Sequence, residues 1–314
     1  MESSTRQSPL TAGKLLRALR AFSLPVSVLP VFVAVAAAAP IGQWHWGVLI
    51  ASAAGAGLLH LGGNLLNDYF DFRKGVDRRM EGDENRPGRL LVRGELLPRD
   101  VLAEAIVCLA LAAGIGAVLT WRCGIGIIWF GLAGAAGAYA YTGPPFHLKY
   151  RALGEAVIFV VFGPLLLTGA AWAQTGAWEW AAFLASIPVG LATTAILVSN
   201  NVRDRGEDSQ AGIRTIGDLA GGRFARGLYV ALVLGAPLGL AALGALGAFG
   251  VLRALGVPGA GPRGLLAAPL ALALILGPAR AVASGRRIPD IDVRTARFET
   301  VLLLLAFAAY TIDY

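Results

Sequence analysis

The sequence predicts an all-α integral membrane protein built as a bundle of nine transmembrane helices, on three observations. First, 56% of the 314 residues are hydrophobic, the mean hydropathy is +0.64, and only 15% of the chain is charged. A soluble chain carries about 25% charge. Second, apolar runs near the ~20 residues that cross a bilayer lie at about 21–39, 47–66, 101–120, 124–142, 152–173, 180–200, 226–250, 262–284 and 297–313. Third, with nine crossings the connecting segments alternate sides, and 24 of the 27 Lys and Arg residues then fall on the side of the N-terminus. Basic residues in short loops mark the cytoplasmic side, so the N-terminus is expected in the cytoplasm and the C-terminus outside, in a cell (inner, cytoplasmic) membrane.

The first run could be read as a cleaved leader ending near Ala39-Pro40, but removing it would break the charge alternation, so it is expected to stay. The second and sixth runs each end in an acidic segment four helices apart, which suggests an old repeat. The 41 glycines suit helices packed closely in lipid, where small residues let backbones approach. Residues 1–314 read as one polytopic membrane domain, with Asp-rich cytoplasmic segments at about 67–100 and 201–225. The net charge of +7 is placed by topology and gives no reason to expect nucleic acid as a partner. Cys108 and Cys123 form no metal or disulfide pattern.

Function is carried by what interrupts the apolar pattern. Asn64, Asn67, Asp68 and Asp71 follow an i, i+3, i+4, i+7 spacing and share one helix face at the end of the second run, with Asp77 beyond them. Asn200, Asn201, Arg203, Asp204 and Asp208 end the sixth run, and Asp204 and Asp208 are one turn apart. Polar side chains at such depth are costly and point to a functional site. Carboxylate and carboxamide oxygens suit Mg²⁺, which commonly binds one or two carboxylates together with substrate phosphate oxygens. The expected metal ligands are Asp68, Asp71, Asp77, Asp204 and Asp208, converging on one cavity. Arg73, Lys74, Lys149, Arg151, Arg203 and Arg214 are cations placed to bind a diphosphate. Tyr139 and Tyr141 close the fourth run, either as interfacial anchors or as aromatic faces beside an allylic cation. His60, one turn before Asn64, is expected to pack and hydrogen-bond rather than to act on substrate. A transporter is the rival from another class, and it is disfavoured because the acids lie at helix ends and no broken helix pair is evident.

The segment Asn67-Asp68-Tyr69-Phe70-Asp71-Phe72-Arg73-Lys74-Gly75-Val76-Asp77 and the later Asn200-Asn201-Val202-Arg203-Asp204, with Asp208, resemble the two Asp-rich motifs of the UbiA superfamily of intramembrane prenyltransferases. Within it, the third acid lying nine residues after the first is similar to the menaquinone-pathway branch, 1,4-dihydroxy-2-naphthoate polyprenyltransferase; Tyr150-Arg151-Ala152-Leu153-Gly154-Glu155 and Gln174-Thr175-Gly176 match that branch too. The resemblance implies nine helices, Mg²⁺, a polyprenyl diphosphate donor, 1,4-dihydroxy-2-naphthoate as aromatic acceptor or, as elsewhere in the superfamily, another such as 4-hydroxybenzoate or homogentisate, and catalysis by Asp68, Asp71, Asp204 and Asp208. One departure is Ile213 before Arg214, where the family usually carries Lys.

Overall fold

The computed structural model describes residues 12–76, 89–211, 215–257 and 259–313, except for the side chains of 12, 15–17, 89 and 206–211. Among the described residues the regular structure is entirely helical. The long elements are α1 (Pro25–Ala38), α2 (Trp46–Lys74), α3 (Pro98–Cys123), α4 (Gly126–Thr142), α5 (Gly154–Thr175), α6 (Trp180–Ala211), α7 (Gly222–Ala248), α8 (Arg263–Leu274 followed by Leu276–Ala283) and α9 (Ile291–Ile312).

Seven described helices are long and apolar enough to cross a membrane, and the α8 pair makes an eighth if it is one broken span, so the protein is a multi-pass membrane protein. Each of the nine apolar runs falls on one of these elements. At 17 residues α4 rises roughly 26 Å, just under the ~30 Å of a hydrocarbon core. The expectation that no helix pair is broken is corrected: the two parts of α8 meet at 57°. Pro278, in the first turn of the second part, has no N–H to return to the carbonyl of Leu274, the last residue of the first part, which itself runs in tight 3₁₀ turns. No carboxylate lies between 263 and 283, so the break brings with it no acidic transport site.

Helix α2 outruns its apolar segment by two turns and carries Asn64, Asn67, Asp68 and Asp71 of the first acidic motif. It ends at Gly75, whose φ of 75° is open to glycine without strain and whose N–H returns to the carbonyls of Asp71 and Phe72. Arg73 and Lys74 occupy the last turn, where cations complement the helix dipole.

Packing separates the helices by role. The apolar window of α6 is 67% buried and that of α3 only 17%, which puts α6 at the centre of the bundle and α3 against lipid. The main core gathers Val31 and Val35 of α1, Ala185 and Ala192 of α6, Tyr229 of α7 and Phe298 and Tyr310 of α9. A second core, with Leu61 and Leu65 of α2 and Val101 and Ala105 of α3, lies under the first acidic motif. Helix α5 reaches α6 backbone to backbone. A Cβ on Gly163 would lie 2.8 Å from the Ser186 carbonyl oxygen, and one on Gly190 would lie 3.0 Å from that of Phe159. Gly163 sits within a single π turn, Val161–Leu165, that includes Pro164.

Candidate active site

Helical spacing brings Asp68 and Asp71 to the same side of α2, and both are only 4% exposed. A buried carboxylate requires a compensating charge or hydrogen bonds, and each has one. Arg20 forms an ion pair with Asp68. Lys149 Nζ lies 2.6 Å from Asp71 Oδ2 and donates to Asn67 Oδ1 at 3.2 Å, while the buried Tyr150 hydroxyl donates to Asp71 Oδ1. Lys74, exposed on the last turn of α2, holds its ammonium 3.8 Å from the centre of the Tyr150 ring, a cation–π contact. Asn64 reaches Ser23 at 3.4 Å.

The segments that deliver Arg20, Lys149 and Tyr150 are conformationally demanding. The non-glycine residues with positive φ among the described residues are Arg20 (54°), His147 (49°) and Ala152 (56°). Each such residue costs on the order of 1–3 kcal/mol and persists only where the surroundings hold it. Ser23 Oγ donates to the Arg20 carbonyl at 2.8 Å, and His147 Nδ1 contacts the Thr142 carbonyl at 2.7 Å. His147 and Ala152 bracket the short turn Leu148–Arg151 that presents Lys149 and Tyr150 to α2.

The second cluster is built on α6. Asp204 is 6% exposed, and Arg203 grips it with a two-pronged contact, Nε to Oδ1 at 2.7 Å and Nη2 to Oδ2 at 2.8 Å. The third nitrogen of the same guanidinium lies 2.5 Å from Asp292 at the start of α9. Asn201 Nδ2 donates to Glu155 Oε1 of α5 at 3.0 Å. The stretch 149–155 therefore binds both motifs: Lys149 and Tyr150 hold Asp71, and Glu155 holds Asn201.

Several expected residues stand elsewhere. Arg73 is exposed, 6.0 Å from the Tyr69 ring centre. Arg151 is exposed and donates to the Pro145 carbonyl at 3.3 Å. Tyr139 is 40% exposed, donates to the Pro144 carbonyl at 2.8 Å and meets Phe70 edge-on at 5.9 Å. Tyr141 lies by the start of α5, where a Cβ on Gly154 would come 3.3 Å from its ring. His60 packs as expected: Ser27 lies at 3.0 Å, Ser23 at 3.4 Å, and Phe162 edge-on at 5.2 Å. Asp77 and Arg214 lie outside the described residues, and Asp208 is placed on α6 by its backbone alone. Arg20, Tyr150, Glu155 and Asp292 are contacts of the motifs that spacing alone did not assign.

Among the described residues no group of three or more acidic, His or Cys side chains is drawn together as a closed metal site. The donors present are nevertheless hard oxygens, from Asn67, Asp68, Asp71 and Asp204. That set fits Mg²⁺, which takes few protein carboxylates and completes its shell with phosphate oxygens and water.

The chain matches the UbiA prenyltransferase family over residues 27–287 and belongs to that family. It is 35% identical to UbiA prenyltransferase domain-containing protein 1 of Gallus gallus over 218 residues, 69% of this chain and 64% of that protein. The alignment thus spans less than two thirds of that relative's length. It is 33% identical to 1,4-dihydroxy-2-naphthoate octaprenyltransferase of Mycobacterium tuberculosis over 269 residues, 85% of this chain and 86% of that one. The fold is that of a UbiA homolog from Archaeoglobus fulgidus solved with GPP and Mg²⁺: the TM-score is 0.66 at 18% identity, covering 95% of this chain and 99% of the other.

Proposed function

We propose that the protein transfers a polyprenyl group from polyprenyl diphosphate to 1,4-dihydroxy-2-naphthoate, releasing diphosphate and CO₂ and giving demethylmenaquinol for menaquinone synthesis. The observation that carries this reading is the 33% identity to a naphthoate octaprenyltransferase across 86% of that enzyme's length. The nine-residue spacing from Asp68 to Asp77 supports it. In this reading the chain crosses the cytoplasmic membrane nine times with its N-terminus in the cytoplasm, and both motifs open to that side.

Donor binding begins with charge. Asp68, Asp71 and Asp204, with Asp77 and Asp208, supply the ligands through which Mg²⁺, when bound, would neutralise the diphosphate. Asn64, Asn67 and Asn201 add carboxamide contacts. Lys149 and Arg203, each now held on a carboxylate, exchange that contact for phosphate oxygens, and Lys74, Arg73, Arg151 and Arg214 add to the cationic rim. The prenyl C1–O bond then breaks, and its electron pair leaves with diphosphate. Tyr139 and Tyr141 offer aromatic faces to the allylic cation. An electron-rich carbon of the acceptor ring forms the new C–C bond, and loss of the carboxylate as CO₂ returns an electron pair to the ring. Exclusion of water from the bundle prevents hydrolysis of the cation.

A second reading keeps the transfer and changes the acceptor; the 35% identity to UbiA prenyltransferase domain-containing protein 1 favours it. The test is turnover by purified protein with Mg²⁺, a long-chain prenyl diphosphate and either 1,4-dihydroxy-2-naphthoate or 4-hydroxybenzoate, beside Asp68→Ala. Prenylated naphthoquinol with CO₂ release, lost in the variant and on chelation, is the expected result. Transfer only to another acceptor would leave the second reading standing. Absence of metal-dependent diphosphate release with every acceptor would overturn both.

A further inference from the structure

Behind the Arg203–Asp204 pair, an open cleft of about 390 Å³ lies between the end of α6, the start of α7, the end of α8 and the start of α9. Among the described residues five arginines line it: Arg203, Arg205, Arg226, Arg286 and Arg287. Its floor is apolar, with Val282 and Ile291 both buried. Two of these side chains converge closely. A Cβ added at Gly222 would fall 1.8 Å from Arg205 Nη1 and 3.5 Å from Arg226 Nη1, so both guanidiniums crowd the same glycine. Like charges placed this close are unfavourable without an anion between or beside them.

Carboxylates among the described residues pair with two of these arginines, Arg203 and Arg205. Asp204 and Asp292 serve Arg203, and Asp218 lies 3.8 Å from Arg205 while also capping the short helix Ile216–Ala220. Among the described residues no carboxylate pairs with Arg226 or Arg286.

We propose that this cleft is a binding site for a phosphate group, separate from the Asp68–Asp71 centre and supplied by an anionic phospholipid headgroup or by free phosphate. Guanidinium forks match phosphate oxygens in pairs, and an apolar floor beside the bundle suits the glycerol end of a lipid. Arg203 belongs to both this cleft and the Asp204 contact, so occupancy here bears directly on how firmly Asp204 is held.

The test compares thermal unfolding in nanodiscs of phosphatidylcholine alone, of phosphatidylcholine with phosphatidylglycerol, and of phosphatidylcholine with added inorganic phosphate. The wild-type chain is expected to gain stability from one of the two phosphate sources, and which one identifies the ligand. In Arg226→Ala/Arg286→Ala the apparent affinity falls by about tenfold or more, the loss expected for a charge-assisted hydrogen bond. Arg226→Lys/Arg286→Lys keeps the charge and also loses most of the effect, because lysine cannot offer the paired fork. Arg253→Ala, beyond the far end of α7, responds as wild type. Should the double variant not fold, Arg286→Ala alone, at an exposed position, gives the same comparison. No stabilisation of the wild type by either source, or equal responses from the lysine variant and the wild type, would overturn the proposal. Prenyl transfer in phosphatidylcholine alone is expected to be unchanged in both double variants, which keeps this result distinct from the outcome for the reaction itself.

Discussion

Lys149 holds its ammonium 2.6 Å from Asp71 across a turn fixed between two residues of positive φ, so the cation is placed by backbone constraint as well as by charge. Nearby, the Tyr150 phenol takes the other carboxylate oxygen. These two partners predict different variants. Lys149→Met removes a cation that the proposed reaction transfers to phosphate oxygens, and a loss of about a hundredfold in kcat/KM is expected, typical for a preorganised donor. Tyr150→Phe removes one neutral donor to a charged acceptor, worth roughly 1.5–3 kcal/mol, and is expected to lower the melting temperature while sparing most of the rate. Steady-state kinetics and thermal unfolding on both variants check the split; equal rate losses would show that the phenol, too, acts on substrate.

Arg203 is bracketed by Asp204 on its own helix and Asp292 on α9. Asp292→Asn keeps the shape but removes one charge, freeing Arg203 to turn toward phosphate. The expected result is a KM for the prenyl diphosphate within about threefold of wild type and a stability loss of about 1–2 kcal/mol, discounted for an Asp292 side chain that is 26% exposed. Asp204→Asn should instead abolish turnover, because in the proposed reaction that carboxylate serves the donor. Donor titrations on the two variants decide: parallel loss of turnover would place Asp292 with the catalytic carboxylates.

The helices were legible because membrane burial writes itself into composition, and the shared face of Asp68 and Asp71 was legible because helical spacing is local. The partners were not. Arg20 meets Asp68 across 48 residues and Tyr150 meets Asp71 across 79, and nothing in a linear pattern encodes such pairings. Asp292 carried a weak signal, an acid opening a span just where Arg203 closes another, but that pairing depends on α6 and α9 lying side by side. The bend in α8 falls just before Pro278, yet proline also occurs within α6 and α7 without breaking them. What differs is the 3₁₀ run that leads up to it.

The contact between α5 and α6 predicts a sharp size limit. Around Gly163 the nearest atoms to an added Cβ are backbone, the Ser186 carbonyl oxygen at 2.8 Å and Gly190 Cα at 3.0 Å, so no side chain can rotate away. Gly163→Ala forces the helices apart and is expected to cost about 1–3 kcal/mol. Gly131→Ala, where an added Cβ meets nothing within 4 Å, is the matched control and should be neutral or mildly stabilising. Because α5 also carries Glu155 to Asn201, the Gly163 variant should lose activity along with stability, whereas the control should lose neither; thermal unfolding and turnover measured together test both halves.

Deep in the bundle, Glu299 of α9 is 1% exposed and accepts a hydrogen bond from the Thr193 hydroxyl of α6. Its second oxygen, Oε2, has no partner among the described residues. An acid in such a place contributes to stability through the bond it makes and detracts from it through the polar atom left unpaired. Thr193→Val removes the bond and leaves both oxygens without it, so a loss of about 1–3 kcal/mol is expected. Glu299→Met fills the same space without a polar group but strands only the Thr193 hydroxyl, which can turn to the Val189 carbonyl at 3.4 Å. That variant is therefore expected to unfold within about 1 kcal/mol of wild type, as replacement of a buried polar pair by apolar packing often does. The double variant Thr193→Val/Glu299→Met should be at least as stable as wild type and retain turnover. A large loss of turnover in Glu299→Met with stability intact would instead assign this acid a part in the reaction.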